Sequence, residues 1–281
     1  MRLANLAGRA VLLVDGKAVD LARASGGQFG PDPQSIYEEF DELRRWASQA
    51  DLSAGVDFDP ADLDSPAPRP GQLFGIGLNY RQHAEEAGYG LPSVPAVFGF
   101  FASSLSGPVA EVELPDGDVD WEVELVVVIG KRAHKIGKDS AWSHVAGLTV
   151  GQDISERRLQ TAGQQPQAGL AKSYPGFTPM GPCLVTADEI GDPDDLELSC
   201  SIDGELMQHG RTSDLLFSVP ELIEYLASVL PLEPGDVIFT GTPAGVGLGR
   251  KPPRYLRPGQ TLTSSIEGIG ELSQTFVEAR D

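Results

Sequence analysis

The feature of this sequence that most constrains its fold is a short acidic segment that runs directly into an apolar one. Asp120, Glu122 and Glu124 alternate with other residues, and the run from Val126 to Ile129 follows without a polar side chain. Because successive side chains of a β-strand point to opposite faces, the three carboxylates are expected to share one face. An unbroken apolar run is typical of a strand that is buried on both faces. The acids are therefore predicted to lie at the mouth of a core strand.

Three carboxylates on one face of a strand need a reason to lie together. Like charges a few ångströms apart repel one another, so they must be protonated, matched by Lys or Arg, or bridged by a cation. An all-oxygen ligand set favours Mg²⁺ or Mn²⁺, with Ca²⁺ as a further choice. The spacing alone leaves a second interpretation open, namely an exposed acidic strand start in an acidic protein.

The composition narrows the classes of function. The 281 residues include 21 basic and 41 acidic ones, for a net charge of −20, which repels phosphate backbones and anionic membranes and argues against a nucleic-acid partner. No apolar stretch approaches the length of about 18 residues that spans a bilayer, and no signal peptide is recognisable. Cys183 and Cys200 are too few for a disulfide framework or a zinc site. We expect a cytoplasmic protein with reduced thiols and no membrane partner.

The first part of the chain is expected to form a small α+β unit. Residues 9–20 predict a hairpin around an Asp-Gly turn, and a helix capped by Asp32 follows. Residues 57–71 are rich in Asp and Pro, which is typical of a linker. We therefore divide the chain into a small N-terminal domain with its linker, residues 1–70, and a catalytic domain, residues 71–281.

A candidate acid–base pair follows the linker. Leu73–Gly77 predicts a strand, and Asn79 is a suitable N-cap for a short helix that carries His83 and Glu86. Side chains three apart share a helix face, so the carboxylate can orient the imidazole. A simple surface pair remains the alternative. The Gly-Tyr-Gly sequence at 88–90 predicts the hinge of a lid.

A second group of polar residues is predicted on a helix over Gly151–Gln160. Asp153, Arg157 and Gln160 fall at helical spacing on one face, so an acid, a guanidinium and an amide are expected to converge. Asp153 also fits the N-cap of this helix, with Glu156 at the reciprocal position of a capping box. The two roles of Asp153 are compatible, because a cap can direct its second oxygen to a metal.

Two further residues have weaker local signals. Lys172 precedes a predicted Pro-rich turn at Pro179–Pro182 and on its own is better explained as a solvated lysine than as an active-site one. Thr242 lies in the Gly-rich loop Gly241–Gly247, whose backbone N–H groups are expected to approach a ligand. That loop matches neither a P-loop nor a dinucleotide fingerprint. The rest of the chain predicts a hairpin around Asp203-Gly204, one helix that begins with a capping box at Ser218, and two closing strands, Thr261–Ile266 and Glu271–Val277.

Five motifs, taken in this order, resemble the fumarylacetoacetate hydrolase family. They are Gly77-Leu78-Asn79-Tyr80 with His83 and Glu86, Asp120 to Leu125, Asp153 with Arg157 and Gln160, Pro179 to Pro182, and Pro234 to Pro243. The resemblance implies a mixed β-sandwich roll as the catalytic fold and a homodimer. It further implies that Glu122, Glu124 and Asp153 hold Mg²⁺ or Mn²⁺.

The resemblance also implies a chemistry. A 2-oxo acid chelated by the cation would be cleaved with the help of His83, polarised by Glu86, as the base that activates water. The implied helpers are Lys172 in catalysis and Arg157, Gln160 and Thr242 in substrate binding. The leading interpretation is a hydrolase of C–C bonds in acylpyruvate-like or ring-cleavage 2-oxo acids, as in aromatic catabolism. The alternatives are an oxaloacetate-type decarboxylase, a 2-hydroxyhepta-2,4-diene-1,7-dioate-type isomerase and a metal-binding homologue without activity.

Two positions depart from the family pattern. Phe100 stands where many members have Lys, which removes a cation expected on the substrate side and favours an apolar group there. Arg158 stands where many members have Asp, and it is expected to face solvent or a partner chain about 100° around the helix from Arg157.

Overall fold

The computed structural model describes residues 1–88 and 90–280. In chain order, its β-strands are β1 Arg2–Leu6, β2 Arg9–Val14, β3 Lys17–Asp20, β4 Leu63–Asp64, β5 Leu73–Gly77, β6 Ala96–Gly99, β7 Leu105–Ser106, β8 Val109–Leu114, β9 Val119–Asp120, β10 Val123–Ile129, β11 Val145–Gln152, β12 Ser155–Glu156, β13 Thr178–Val185, β14 Glu197–Ile202, β15 Glu205–Arg211, β16 Val237–Phe239, β17 Thr261–Ile266 and β18 Gly270–Glu278. Its α-helices are α1 Leu21–Ala24, α2 Phe40–Ala47, α3 Arg81–Glu86, α4 Lys138–Ala141, α5 Arg157–Gln160, α6 Ala168–Ala171 and α7 Val219–Val229. None of these helices combines the length and the apolar character that crossing a membrane requires.

Most strands join one large mixed sheet. Its 11 strands follow the order β3-β2-β1-β13-β11-β10-β16-β5-β6, with β4 paired to β1 and β7 paired to β13. A second sheet of 5 strands has the order β15-β14-β17-β18-β8, and β12 and β9 form a separate pair. The smaller sheet packs against β10, β11 and β13 of the larger one. The expected α+β class, mainly β with few helices, is confirmed.

Strand β10 lies at the centre of the molecule. All of its residues are buried, and it pairs antiparallel with β11 on one side and with β16 on the other. Leu125 and Val127 belong to one apolar cluster, whereas Val126 and Val128 belong to a second cluster on the opposite face. The prediction of a strand buried on both faces is therefore confirmed, and each face is stabilised by its own hydrophobic layer.

The N-terminal strands extend the large sheet. β2 and β3 form the predicted hairpin, and β1, which the sequence analysis did not predict, pairs antiparallel with β13, so that Leu3 lies opposite Leu184. Part of the expected linker is ordered, because β4 pairs with β1 and residues 65–67 are buried. The division of the chain near residue 70 stays a prediction.

The acidic segment does not form one continuous strand. β9 ends at Asp120, which lies opposite Ser155 of β12, whereas β10 begins at Val123, which lies opposite Gln152 of β11. Between them, Glu122 N–H donates to the Gln152 side-chain oxygen at 2.9 Å instead of to a neighbouring strand. The chain therefore changes pairing partner at this point, and the predicted single strand is wrong.

The predicted helix over Gly151–Gln160 is also wrong. Its first residues end β11, the next form β12, and only α5 is helical. Glu156, not Asp153, caps α5, because its carboxylate accepts hydrogen bonds from Arg158 N and Leu159 N. Strand pairing of β11 and β12 takes the backbone groups that a longer helix would need.

Other local predictions need correction too. Asn79 is not the N-cap of α3, because its side-chain amide donates to the carbonyls of Phe217 and Thr240. The N-cap residue is Tyr80, whose side chain makes no capping hydrogen bond. Pro179–Pro182 lies within β13 and is not a turn. Ser218 forms the predicted capping box of α7. In the predicted hinge at 88–90, residue 89 lies outside the described residues.

A helix does follow Asp32, but it begins as a 3₁₀ helix over Ser35–Glu39 and continues as α2. The Asp32 carboxylate accepts from Gln34 N–H at 3.2 Å, so it supports the preceding turn and is not a cap of α2. Both cysteines are buried free thiols.

Candidate metal centre and active-site pocket

Three buried carboxylates meet where the central strands end. Glu122 immediately precedes β10, Glu124 is the second residue of β10, and Asp153 follows β11, with Asp153 N–H donating to Glu122 C=O at 2.9 Å. Each side chain offers one ligand oxygen, and these oxygens lie within 4.8 Å of one another. Their residues are 6%, 2% and 1% exposed. The described residues thus bring the predicted acidic triad together.

The triad has the properties of a site for a hard divalent cation. Asp153 Oδ1 is buried and has no hydrogen-bond partner among the described residues. A buried, unpartnered carboxylate oxygen is unfavourable unless a cation or a proton occupies it. Glu124 Oε2 accepts from Gly241 N–H at 2.7 Å, which orients this carboxylate toward the other two. An all-oxygen donor set of this kind fits Mg²⁺ or Mn²⁺.

Lys172 lies inside the acidic cluster and is not solvated. Its Nζ is 2.9 Å from Glu122 Oε2, 2.5 Å from Asp153 Oδ2 and 2.8 Å from Ser155 Oγ. Burial alone would lower the pKa of Lys172, but the carboxylates of Asp153 and Glu122 raise it above its usual value. The lysine therefore stays protonated and bridges two of the three acids.

Arg157 holds the acidic segment from the other side. Its guanidinium lies 2.8 Å from Asp120 and 2.6 Å from Glu122, and it donates to Gln160 Oε1 at 3.0 Å. Asp120 also accepts from the backbone N–H groups of Gly247 and Leu248. Asp120 is therefore not part of the triad, but it ties Arg157 to the Gly-rich loop.

The surroundings shift the pKa values of the three acids in different directions. Burial raises the pKa of Glu124, and the neighbouring Asp153 and Glu122 raise it further. Burial also raises the pKa of Asp153, to about 7, although Lys172 opposes this effect. For Glu122 burial is outweighed by Lys172 and Arg157, so its pKa lies well below the usual range. Without a cation, the cluster therefore favours a fixed negative charge on Glu122, and the raised pKa values of Glu124 and Asp153 favour partial protonation of these two acids.

His83 and Glu86 form the predicted pair, and the pair is built into the site. His83 is 7% exposed, and its Nδ1 lies 3.0 Å from Glu86 Oε1. Both Glu86 oxygens accept from Gly245 N–H at 3.0 Å. Gly245 C=O in turn accepts from the Trp121 indole at 3.2 Å and from Arg250 at 3.3 Å. A surface ion pair is excluded, because the imidazole orientation is fixed through three consecutive contacts.

These groups line one cavity of about 420 Å³. Its polar side is formed by the triad together with His83, Lys172, Arg157, Gln160 and Thr242. Glu86 does not line the cavity but contacts His83. The Thr242 hydroxyl donates to Val123 C=O at 2.9 Å and accepts from Gln208 at 2.8 Å. Its predicted contact with substrate stays a prediction, because the hydroxyl already has two protein partners.

Comparison with known proteins identifies the family. Residues 72–277 match the family model described as Fumarylacetoacetate (FAA) hydrolase C-terminal, which is well over half of the chain. The chain belongs to the fumarylacetoacetate hydrolase family. It is therefore an enzyme of this family, and the expected β-sandwich roll is confirmed.

Relatives in the family have several activities. A crystal structure described as a "putative HpcE protein" from Mycobacterium smegmatis is 53% identical, covers 100% of both chains and superposes with a TM-score of 0.96. The human mitochondrial oxaloacetate tautomerase FAHD2A is 43% identical over 215 residues, which are 76% of this chain and 68% of that protein. A maleylpyruvate hydrolase from Sphingobium sp. SYK-6, solved with manganese(II) and pyruvate, is 26% identical, covers 100% of both chains and has a TM-score of 0.79.

The two departures from the family pattern have different surroundings. Phe100 is 8% exposed and packs between Phe98 and Phe239, with ring centroids 5.2 Å from each. Of these three rings, Phe98 lines the cavity. Arg158 is exposed and lies 3.1 Å from Asp118, on the side of α5 away from the cavity. It is therefore not a site residue in this protein.

Sequence reasoning missed several residues on which this family site depends. Ser155 binds Lys172, and Gly245, Trp121 and Arg250 position Glu86. The Gly-rich loop was expected to direct its N–H groups to a ligand, but those of Gly241, Gly245 and Gly247 bind protein carboxylates instead. The glycines of that loop were the sequence signal that could have indicated this role of its backbone. Gly245 has φ +110°, a conformation that other residues rarely adopt.

Proposed function

We propose that this protein is a metal-dependent hydrolase that cleaves a C–C bond of an acylpyruvate-like 2-oxo acid. The observation that supports this proposal is the convergence of a buried oxygen triad and the His83–Glu86 pair on one cavity. The triad fits a divalent cation and the pair fits a general base, and hydrolysis of a ketone needs both.

Glu122, Glu124 and Asp153 would hold Mg²⁺ or Mn²⁺. When bound, the cation would withdraw electrons from the two oxygens of a 2-oxo carboxylate and so stabilise the negative charge left when the C–C bond breaks. The manganese and pyruvate in the maleylpyruvate hydrolase structure support this assignment. The unpartnered Asp153 oxygen supports it independently of any relative.

His83 is proposed to take a proton from water. Its Nδ1 is bound to Glu86, so the other ring nitrogen, Nε2, is left for the cavity, which His83 lines. Glu86 fixes the ring and stabilises the imidazolium that forms, and it is itself held by Gly245. Lys172 and Arg157, which stay protonated, neutralise the carboxylates around the substrate and attract its oxygens.

A tautomerase is the second candidate. The identity of 43% to a human oxaloacetate tautomerase supports it, and the same His83 would then move a proton between carbon and oxygen of the substrate without adding water. Decarboxylation is less well supported, because it needs the cation but no base at this position.

Replacement of His83 tests the proposal. We expect His83→Ala to lose at least about 10²-fold in the rate of acylpyruvate cleavage, the scale typical of a lost general base. ¹⁸O-labelled water identifies hydrolysis, because one label must enter the acid product. His209→Ala is the matched control, since His209 is exposed and lies outside the cavity.

Different outcomes separate the candidates. Full hydrolase activity of His83→Ala would refute the proposed base. Loss of oxaloacetate tautomerisation by the same variant, with no cleavage of acylpyruvates by the wild type, would establish the second candidate instead.

We also propose a homodimer, as the family resemblance implies. Exposed apolar side chains support it: Phe101 is 58% exposed and Leu170 is 52% exposed, and both lie on segments beside the cavity, where α6 packs against β6. Light scattering coupled to size exclusion should give twice the chain mass. The mass of a single chain would refute the dimer.

A further inference from the structure

We infer that the preferred substrate carries one carboxylate, at its 2-oxo end, and an apolar group at the other end. This inference rests on the proposed function, because it assumes that the 2-oxo acid end faces the triad. It concerns the remaining walls of the same cavity and the departure at Phe100.

The fixed positive charges of the cavity are already paired with carboxylates of the protein. Of the described residues that line it, Lys172 and Arg157 are the fixed cations. Lys172 contacts Glu122 and Asp153, and Arg157 contacts Asp120 and Glu122. Both therefore belong to the acidic end, and a second substrate carboxylate would find no fixed cation along the other walls.

Those other walls are apolar. They are formed by Ile76, Leu78, Val97, Phe98, Val246 and Leu248. A carboxylate placed against such surfaces would lose its hydration without gaining a partner, which is strongly unfavourable. An alkyl or aryl group would instead be removed from water, and each buried methylene is expected to improve binding by about fourfold.

The aromatic part of the wall is held in one position. Phe98 packs edge to face on Phe100, and Phe100 packs on Phe239 in the core, with centroids 5.2 Å apart in each pair. Gly75 makes room for this arrangement, because a Cβ there would overlap the Phe98 ring and lie 2.8 Å from Phe100. Lys172 Nζ lies 5.3 Å from the Phe98 centroid, so the same ring borders the acidic end. Phe100 thus acts through Phe98 as a positioning residue for an apolar wall.

A binding measurement tests the inference without any turnover. The Mn²⁺-loaded full chain is titrated by calorimetry with 2-oxohexanoate and with 2-oxoadipate, which have the same number of carbons and differ only by the second carboxylate. We expect 2-oxohexanoate to bind at least about tenfold more tightly, since the second carboxylate would be desolvated without a partner. Equal affinities, or tighter binding of 2-oxoadipate, would overturn the inference.

A substitution at the rim of the cavity should largely remove the preference. Leu248 lines the cavity and is 41% exposed, so Leu248→Lys can be accommodated without burying a charge. We expect it to tighten 2-oxoadipate binding and to reduce the ratio of the two affinities by about tenfold. Leu206→Lys is the matched control, since Leu206 is exposed and lies outside the cavity, and its ratio should equal that of the wild type. An unchanged ratio in Leu248→Lys would contradict the assignment of this wall to the substrate tail.

Failure of this inference and failure of the proposed function are distinguishable. If acylpyruvates with apolar and with carboxylate tails are cleaved equally well, the hydrolase stands and the tail preference falls. If nothing is cleaved but the two oxo acids still differ in affinity as expected, the preference stands and the reaction must be reassigned.

Discussion

Removing the charge of Glu122 and that of Glu124 should change the stability of the metal-free protein in opposite directions. Glu122 contacts Arg157 at 2.6 Å and Lys172 at 2.9 Å. Glu122→Gln leaves both cations with fewer partners, and breaking a buried ion pair costs about 3–5 kcal/mol. Each cation keeps another carboxylate, so we expect the lower end, about 3 kcal/mol. For a chain of this size the melting temperature would fall by roughly 6 °C.

Glu124→Gln should instead stabilise the metal-free protein. The substituted amide retains an oxygen that can accept from Gly241 N–H, and it removes the repulsion from two neighbouring acids. The ligand oxygens of the three acids lie within 4.8 Å of one another, and two unit charges at that limiting separation repel by about 3.5 kcal/mol at an effective dielectric constant near 20. Partial protonation of Glu124 and the charge of Lys172 offset part of this, so we expect a net gain of roughly 1–2 kcal/mol, or a melting temperature about 2–4 °C higher.

Differential scanning fluorimetry with and without Mg²⁺ measures both effects. A cation at a hundred times its dissociation constant stabilises the folded wild type by about 2.7 kcal/mol, and this gain should vanish in both variants. The reasoning would be refuted if Glu124→Gln melted below the metal-free wild type by as much as Glu122→Gln does. Unchanged stabilisation by Mg²⁺ in both variants would refute the metal site.

Two further predictions follow from the same site. The pKa of Asp153 is raised from 3.8 to about 7 in the folded protein, so between these pH values the folded state holds a proton that the unfolded state loses. The free energy of unfolding of the metal-free protein should therefore fall as pH rises from about 4 to about 7. A melting temperature that rises across this window would contradict the assignment. Arg250→Met should lower kcat by about tenfold with little change in KM or in stabilisation by Mg²⁺, because Arg250 binds Gly245, which in turn holds Glu86 against His83. Arg250→Lys should restore part of kcat. An unchanged kcat in Arg250→Met would exclude this positioning role.

The sequence by itself was sufficient to predict secondary structure wherever the signal lies in adjacent residues. The apolar run at Val126–Ile129 predicted a core strand, and the Asp-Gly turns predicted two hairpins, all of which the structure contains. These signals are local, since side-chain periodicity and turn conformation depend on adjacent residues only. The triad and the His83–Glu86 pair were also predicted, from spacing together with the family resemblance.

The tertiary structure alone decided how those residues come together. Asp153 joins Glu122 and Glu124 because β11 pairs with β10. The sequence analysis expected this triad only from the family resemblance, and the helix that it predicted over Gly151–Gln160 is helical only at Arg157–Gln160. The local sequence around Lys172 favoured a solvated side chain, whereas the fold places its amine between the carboxylates of Glu122 and Asp153. Contacts between residues far apart in the chain are set by strand pairing and packing, which a local pattern does not encode. For the same reason the sequence could show only that Phe100 replaces a cation with an apolar side chain. Its packing on Phe98 and Phe239 shows which wall of the cavity it stabilises.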